Sequence, residues 1–294
     1  MVKILDGVKT SNEIKNEIKE QLKNQTVKPC LAVVLCSDDP ASEIYVSKKI
    51  KACAEVGIES RLYKCSQSGN NLDQDSITKV IKTLNDNPSV HGILVQLPLP
   101  KGMSPYPIFD LIDPKKDVDV FSPTNVGLLL QGRPRFIPCT PQAVQELLVR
   151  NGITIAGTKV CIINRSDIVG KPLHALLIQN CEQANATVCV CHDHTPPERL
   201  RSICLTSDII VVAVGKPNFL TEDMVPEGGI VVDVGITRIS DSKKIVGDVD
   251  FDSVAKKCSW ISPVPNGVGP CTVACLLKNV VRACSLQHEH GFTK

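Results

Sequence analysis

The feature that most constrains this chain is the regular exchange of short apolar runs for segments of helical period. Cys30-Leu31-Ala32-Val33-Val34-Leu35-Cys36 is too short for a stable helix and apolar on both faces, so Leu31 to Cys36 reads as a buried strand. Ahead of it, Ser11 to Asn24 carries Ile14, Ile18 and Leu22 at four-residue spacing among Lys, Glu and Gln, the pattern of an amphipathic helix. Behind it, Pro40 opens a helix to about Val56 that Gly57 closes, and Ser60 to Cys65 reads as a strand. A helix over Asp75 to Asn85 and a strand over Val90 to Leu97, stopped by Pro98-Leu99-Pro100, continue the exchange. Strands that alternate with helices pair in parallel, because a crossover helix is what joins them.

The pattern restarts after a helix at Thr140 to Asn151. It then runs strand Lys159 to Asn164, helix Val169 to Asn180, strand Thr187 to Cys191, helix Pro197 to Ile203, and strands Asp208 to Val214 and Gly229 to Val234. That series is the mononucleotide-binding half of a Rossmann-like fold. A length of 294 residues favours two cores over one. The expectation is two α/β domains with a cleft between them: 1–139, and a Rossmann-like 140–269. The final helix within 270–294, patterned from Pro270 to Cys284, packs back on the first domain, and His288 to Gly291 frays.

Charge excludes some functions. The 33 basic and 31 acidic residues are interspersed, leaving no basic stripe to neutralise a phosphate backbone, so nucleic acid is not an expected partner. No apolar run approaches a membrane span and no signal-peptide pattern opens the chain, which reads as cytoplasmic. The 14 cysteines are scattered without a C-x-x-C pair, and many sit in apolar runs, so they read as reduced, buried small hydrophobes. Cys189, Cys191, His192 and His194 form the one local cluster. Strand alternation turns the two thiols to one face and His192 to the other, so no metal is expected there.

Four segments carry chemistry. In Asn164-Arg165-Ser166-Asp167-Ile168-Val169-Gly170 a strand turns into a helix, where backbone N–H groups meet phosphate; Gly170 alone survives from a glycine-rich pattern, while Asn164 tolerates a left-handed backbone and Ser166 can cap. Asp193, with His192 at the end of the next strand, suits a free ribose hydroxyl, whereas Arg165 suits a phosphate, leaving NAD against NADP open. On the helix after Pro40, Tyr45 and Lys49 share a face, a ring to stack on a flat heterocycle and an amine that works as acid or base once burial lowers its pKa. The strand end Val95-Gln96-Leu97-Pro98-Leu99-Pro100 and the acids Asp117 and Asp119 lie where open α/β sheets hold ligands; Gln96 can orient Lys49, and a carboxylate at Asp119 can accept paired N–H bonds from a pterin. The last is Pro263-Val264-Pro265-Asn266-Gly267-Val268-Gly269-Pro270, stiff yet open to close backbone approach. Read alone, each also has a structural meaning: a plain turn, a solvated lysine, a solvated acidic loop, a hinge.

Together, and with Asp233-Val234-Gly235-Ile236 and Gly247-Asp248-Val249-Asp250 between the third and the last, these motifs resemble the bifunctional methylenetetrahydrofolate dehydrogenase/cyclohydrolase family, over roughly Leu5 to Ala283. The resemblance implies oxidation of 5,10-methylenetetrahydrofolate with NAD(P), NADP being the family's default, then hydrolysis of the methenyl product, by a homodimer. It makes Lys49 the acid/base group, with Tyr45 stacked on the folate, Gln96 tuning the lysine and Asp119 anchoring the pterin. Val95, Leu97 and the run Pro265, Asn266, Gly267, Val268 and Gly269 would line the folate site. Asn164, Arg165, Ser166, Gly170, His192 and Asp193 would hold the dinucleotide, with Ile236 near the nicotinamide. Departures from the family pattern are Asn164 and Asn266 at usual glycines, and Asp167 and Asp193, which make the adenine end more negative. Two rivals are a shikimate-type dehydrogenase, which leaves Gln96 and the Pro263 to Pro270 loop unexplained, and a folate-binding homologue without catalysis, which leaves Lys49 unexplained.

Overall fold

A computed structural model describes residues 2–37, 39–65, 74–239 and 245–289. The first elements are β1 (Lys3–Ile4), α1 (Gly7–Leu22), β2 (Cys30–Leu35), α2 (Pro40–Val56), β3 (Glu59–Lys64), α3 (Gln74–Asp86) and β4 (Gly92–Gln96). Two short helices, α4 (Tyr106–Phe109) and α5 (Pro123–Leu130), precede α6 (Cys139–Arg150). Next are β5 (Lys159–Ile163), α7 (Gly170–Leu177), β6 (Thr187–Cys191), α8 (Pro197–Leu205), β7 (Ile209–Val212) and β8 (Ile230–Asp233). The antiparallel pair β9 (Thr237–Arg238) and β10 (Ile245–Val246), α9 (Phe251–Val254), β11 (Trp260–Ile261) and α10 (Val268–Glu289) follow.

Two compact units result, one of Met1–Asn12 with Cys139–Thr272, the other of Glu13–Pro138 with Val273–Lys294. In the second, a parallel sheet has the order β3-β2-β4. Every residue of β2 is buried, as a central strand covered on both faces requires. Cys30, Ala32 and Val34 turn one way, to meet Ile77, Ile81 and Leu84, the inward stripe of α3, and Ile108 and Phe109 of α4. In α10 the buried Asn279 donates to the carbonyls of Val118 and Ile137, both at 2.8 Å.

The other unit is a six-stranded sheet, β1-β11-β8-β7-β5-β6, parallel at every pairing. Its core gathers Cys161, Ile163, Ile210, Val212 and Val231 with Leu200 and Cys204 of α8. In both sheets the first strand of a βαβ series has its successors on either side, β2 between β3 and β4, β5 between β6 and β7. Crossovers leave such a pair in opposite directions and open a crevice at the strands' carboxyl ends, the usual ligand position of open α/β sheets.

The division differs from the sequence expectation at the N-terminus. Lys3 pairs with Trp260 and Ile4 with Ile261, so residues 1–12 join the six-stranded unit instead of 1–139 forming one body. Two-residue strands carry too little periodicity to be read locally. The tail expected to fray is helical through Glu289; residues 290 and 291 lie outside those described.

Candidate active site

Pro40 supplies the fixed φ of a helix start, and α2 then carries Tyr45 and Lys49 on one face, one turn apart. The half-buried Lys49 Nζ donates to Gln96 Oε1 at 3.0 Å, joining the helix after β2 to the last residue of β4 across the crevice. Gln96 Nε2 donates to the Leu97 carbonyl at 2.7 Å, which dictates that the amide oxygen faces the lysine. The Tyr45 ring is partly exposed, with Lys48 Nζ 5.9 Å from its centroid. Val95 departs from expectation: its side chain is buried in the core beside Val34 and Ile93 and does not reach the crevice, and Leu97 packs half-buried against the same core. The strand's period of two turns Gln96 outward and Val95 inward.

The two acids of Lys116-Asp117-Val118-Asp119 have different environments. Asp117 is buried and accepts from Phe121 N at 3.0 Å, Ser122 N at 2.9 Å and Asn125 Nδ2 at 2.9 Å, so it organises the loop and is not solvated. Asn125 in turn donates to the Pro114 carbonyl at 2.8 Å and accepts from Arg135 Nη1 at 2.8 Å. Sequence reasoning missed Asn125 and Arg135, which belong to no motif. Asp119 is half-buried, and the next residue, Val120, has φ +67°. A β-branched residue rarely adopts that backbone, so the loop carrying Asp119 is held in an uncommon shape by its anchors.

In the six-stranded unit the turn after β5 lies beside the end of β7. Asn164 does not use a left-handed backbone; its side chain does the work instead. Its Oδ1 accepts from Ser166 N at 2.8 Å, Ser166 Oγ at 2.7 Å and Gly170 N at 2.9 Å, while Nδ2 donates to the Ala213 carbonyl at 2.5 Å across the β5/β7 crevice. Thus Asn164 caps the start of α7, and Ser166 Oγ serves Val169 N at 3.1 Å. A Cβ on Gly170 would lie 2.1 Å from the Asn164 carbonyl oxygen, which accounts for that glycine. Arg165 Nη2 pairs with Asp193 Oδ1 at 2.5 Å in solvent-exposed surroundings, joining the ends of β5 and β6. His192 Nδ1 accepts from His194 N at 3.2 Å. Ile236, just past β8, is 48% exposed.

In the loop before α10, Pro265 and Asn266 are exposed, and Asn266 has φ +82°. Gly267 is buried, where a Cβ would lie 2.4 Å from the Pro263 carbonyl oxygen. Val268 is also buried and Gly269 half-buried in the first turn of α10, so the Val268 side chain is not offered to a ligand.

Cys189 and Cys191 turn into the core with Cys161 and Cys204, where Cys161 Sγ lies 3.9 Å from Cys191 Sγ and 3.8 Å from Cys204 Sγ. Among the described residues a different trio, His91, Cys284 and His288, has the proximity of metal ligands. His91 Nδ1 accepts the Cys30 N–H at 3.0 Å, so its own proton sits on Nε2, the atom 3.3 Å from His288 Nε2. A ring protonated on the nitrogen that would bind is a poor ligand.

Two parallel sheets with polar groups gathered at each crevice, one bearing a strand-to-helix turn of the phosphate-binding kind and the other a lysine held by a glutamine, define a two-unit nucleotide-dependent α/β enzyme. Residues 5–119 match the tetrahydrofolate dehydrogenase/cyclohydrolase catalytic domain, and residues 138–288 match the NAD(P)-binding domain of the same family. The chain belongs to that family. It is 49% identical over 286 residues to the bifunctional protein FolD of Nitratiruptor sp., covering 96% of this chain and 98% of that one. The crystal structure of the bifunctional enzyme FolD, a methylenetetrahydrofolate dehydrogenase/cyclohydrolase, from Campylobacter jejuni superposes with a TM-score of 0.90 at 46% identity, covering 97% and 99% of the two chains. That of the Trypanosoma brucei enzyme, complexed with NADP cofactor and inhibitor, has a TM-score of 0.89 at 34% identity, covering 97% and 98%.

Proposed function

We infer that this chain oxidises 5,10-methylenetetrahydrofolate with NADP and hydrolyses the 5,10-methenyl product to 10-formyltetrahydrofolate. Both halves of the family match, and the bifunctional relatives cover nearly the whole chain. The observation that carries the chemistry is the Lys49–Gln96 hydrogen bond at the β2/β4 crevice.

The six-stranded unit fits a dinucleotide. Exposed Arg165 offers a cation to phosphate, Gly215 has open space on its Cα at φ +68°, and exposed Ile236 offers an apolar face at the end of β8. Asn164, Ser166, Gly170, His192 and Asp193 complete the residues that would hold it. When bound, NADP supplies the hydride acceptor. The Arg165–Asp193 pair favours a second reading, use of NAD, because an acid at the end of β6 engages a free ribose hydroxyl and occupies the guanidinium.

For hydrolysis, Lys49 takes the proton of the water that adds to the methenyl carbon and returns one to the ring nitrogen that departs. Gln96 spends its amide oxygen on that amine and holds it in register. Tyr45 presents a ring for the pterin to stack on, and Asp119 accepts the pterin's N–H groups. Pro265, Asn266, Gly267 and Gly269 offer mainly backbone to the folate.

We also propose that the enzyme works in the cytoplasm as a homodimer. Fourteen free thiols suit a reducing compartment. No described helix is long and apolar enough to cross a membrane. The two-stranded β9–β10 ribbon is marginal by itself, with Ile239 exposed beside it, and a second copy would cover it.

Lys49→Met tests the assignment. Followed by absorbance, it should lose methenyl hydrolysis, on the order of 100-fold or more, while still binding NADP. Hydrolysis at the parental rate would remove Lys49 from the mechanism, and a parent without either activity would remove the reading itself.

A further inference from the structure

The acids of two motifs of the sequence, Asp233 in Asp233-Val234-Gly235-Ile236 and Asp248 in Gly247-Asp248-Val249-Asp250, are not used by the chemistry above, yet they lie buried beside each other at the carboxyl ends of β7 and β8. Asp248 is wholly buried and collects three successive backbone donors from the turn after β7: Val214 N at 2.5 Å, Gly215 N at 3.0 Å and Lys216 N at 2.9 Å. Such a run of N–H groups is a ready-made anion nest, and here the chain fills it with its own carboxylate. Asp233 Oδ1 accepts from Gly235 N at 2.9 Å and Asp248 N at 3.0 Å, and its Oδ2 accepts from Val249 N at 3.0 Å. Asp233 therefore fixes both the turn after β8 and the segment that delivers Asp248.

The fit leaves no room for side chains at the two glycines. A Cβ on Gly235 would lie 2.1 Å from Asp248 Cγ, and one on Gly247 would lie 1.9 Å from Asp233 Oδ2. The two carboxylates thus lock the turns at 214–216 and 235–236 to each other. Gly215 and Ile236, the open and apolar positions of those turns, are held by this pair and not by side chains of their own.

We propose that Asp248, held by Asp233, is a positioning residue for the dehydrogenase reaction alone, preforming the backbone of 214–216 and 235–236 against which the nicotinamide end of the dinucleotide rests. This rests on the reading that a dinucleotide binds in this unit. Hydrolysis, assigned to Lys49 in the other unit, does not draw on it.

The test compares the full-length parent with Asp248→Asn, which keeps the shape but replaces one acceptor oxygen by an amide group whose N–H bonds face the backbone donors on that side, Lys216 N alone or Val214 N with Gly215 N. Dissociation constants for NADP are measured by fluorescence, and both reactions are followed on the same preparations. The expected result is a rise in the NADP dissociation constant of about tenfold or more, a matching loss in dehydrogenase kcat/KM, and hydrolysis within twofold of the parent. Equal loss of both reactions, or NADP affinity and dehydrogenase kcat/KM within twofold of the parent, would overturn the proposal. If the variant does not fold, amide hydrogen exchange on the ligand-free parent decides. Val214, Gly215 and Lys216 should be protected before any dinucleotide is added, and exchange at unstructured rates would overturn it. A parent that binds NADP and performs both reactions, beside an unaltered variant, sinks this proposal alone; a parent that binds no dinucleotide sinks the functional reading with it.

Discussion

A lysine and a glutamine 47 positions apart meet because a helix following β2 passes over the end of β4, and the motifs in which they sit were legible in the sequence. The role of Asn164 was not, because a side chain that caps a helix and also reaches a carbonyl on β7 draws its meaning from a partner 49 residues away. The same holds for the Arg165–Asp193 pair. Asp193→Ser should free the guanidinium for a 2′-phosphate and shift preference towards NADP over NAD by roughly tenfold, read as the ratio of the two dissociation constants; an unchanged ratio would exclude the pair from cofactor choice. His91 belongs at this scale as well. Only 3% exposed, it is pushed down to about 4 by burial, with His288, Lys116 and Arg61 adding to the effect and Glu59 opposing it. A depressed histidine binds a proton more readily when unfolded, so its stabilisation is complete above the ordinary value of 6.5 and is lost as pH falls to about 4. Asparagine keeps an acceptor for the Cys30 N–H but does not titrate. Calorimetry should therefore find that the parent loses about 3 kcal/mol relative to His91→Asn between those limits. Asp233, pushed up to about 6 by burial, titrates over the same range with opposite sign, but it is common to both chains and drops out of the difference. A pH-independent difference would show that His91 is not the group.

Helices and strands with several periods of pattern were legible to within a few residues. α2 and β6 have the bounds the sequence suggested, because Pro40 and Gly57 punctuate the first and a clean apolar run defines the second. α5, β1 and β11 were not foreseen: one turn-rich segment and two dipeptides carry no period of their own. Some ends depend on distant residues. The last carbonyls of a helix need donors, and at the end of α3 those of Leu84, Asn85 and Asn87 all receive Lys116 Nζ, at 3.0, 2.7 and 2.7 Å. No local pattern in the sequence directs Lys116 to those carbonyls, about 30 positions away. Lys116→Met should cost about 2 to 3 kcal/mol in denaturant unfolding, since one buried and two half-buried acceptors lose one charged donor. A cost below about 0.5 kcal/mol would mean that water replaces it freely.

For the whole molecule, association is the property most open to test. If a second copy covers the β9–β10 ribbon, the parent should sediment at twice the chain mass, and Ile239→Asp should shift it to the chain mass by placing a charge in the contact. A parent that sediments as a single chain would end the homodimer proposal. The sequence by itself determined the parallel α/β character and the existence of two cores, because these follow from local periodicity, and through the family resemblance it supplied the side chains proposed here to react. Only the tertiary structure decided which acids are scaffold. Asp117, Asp233 and Asp248 each spend their oxygens on backbone N–H groups, whereas Asp119 and Asp193 stand nearer solvent. It also moved the first twelve residues into the six-stranded unit and gave Asn164 its work. The physical reason is common to all of these: burial and hydrogen-bond partners come from strands and turns far apart in the chain, and no local pattern records them.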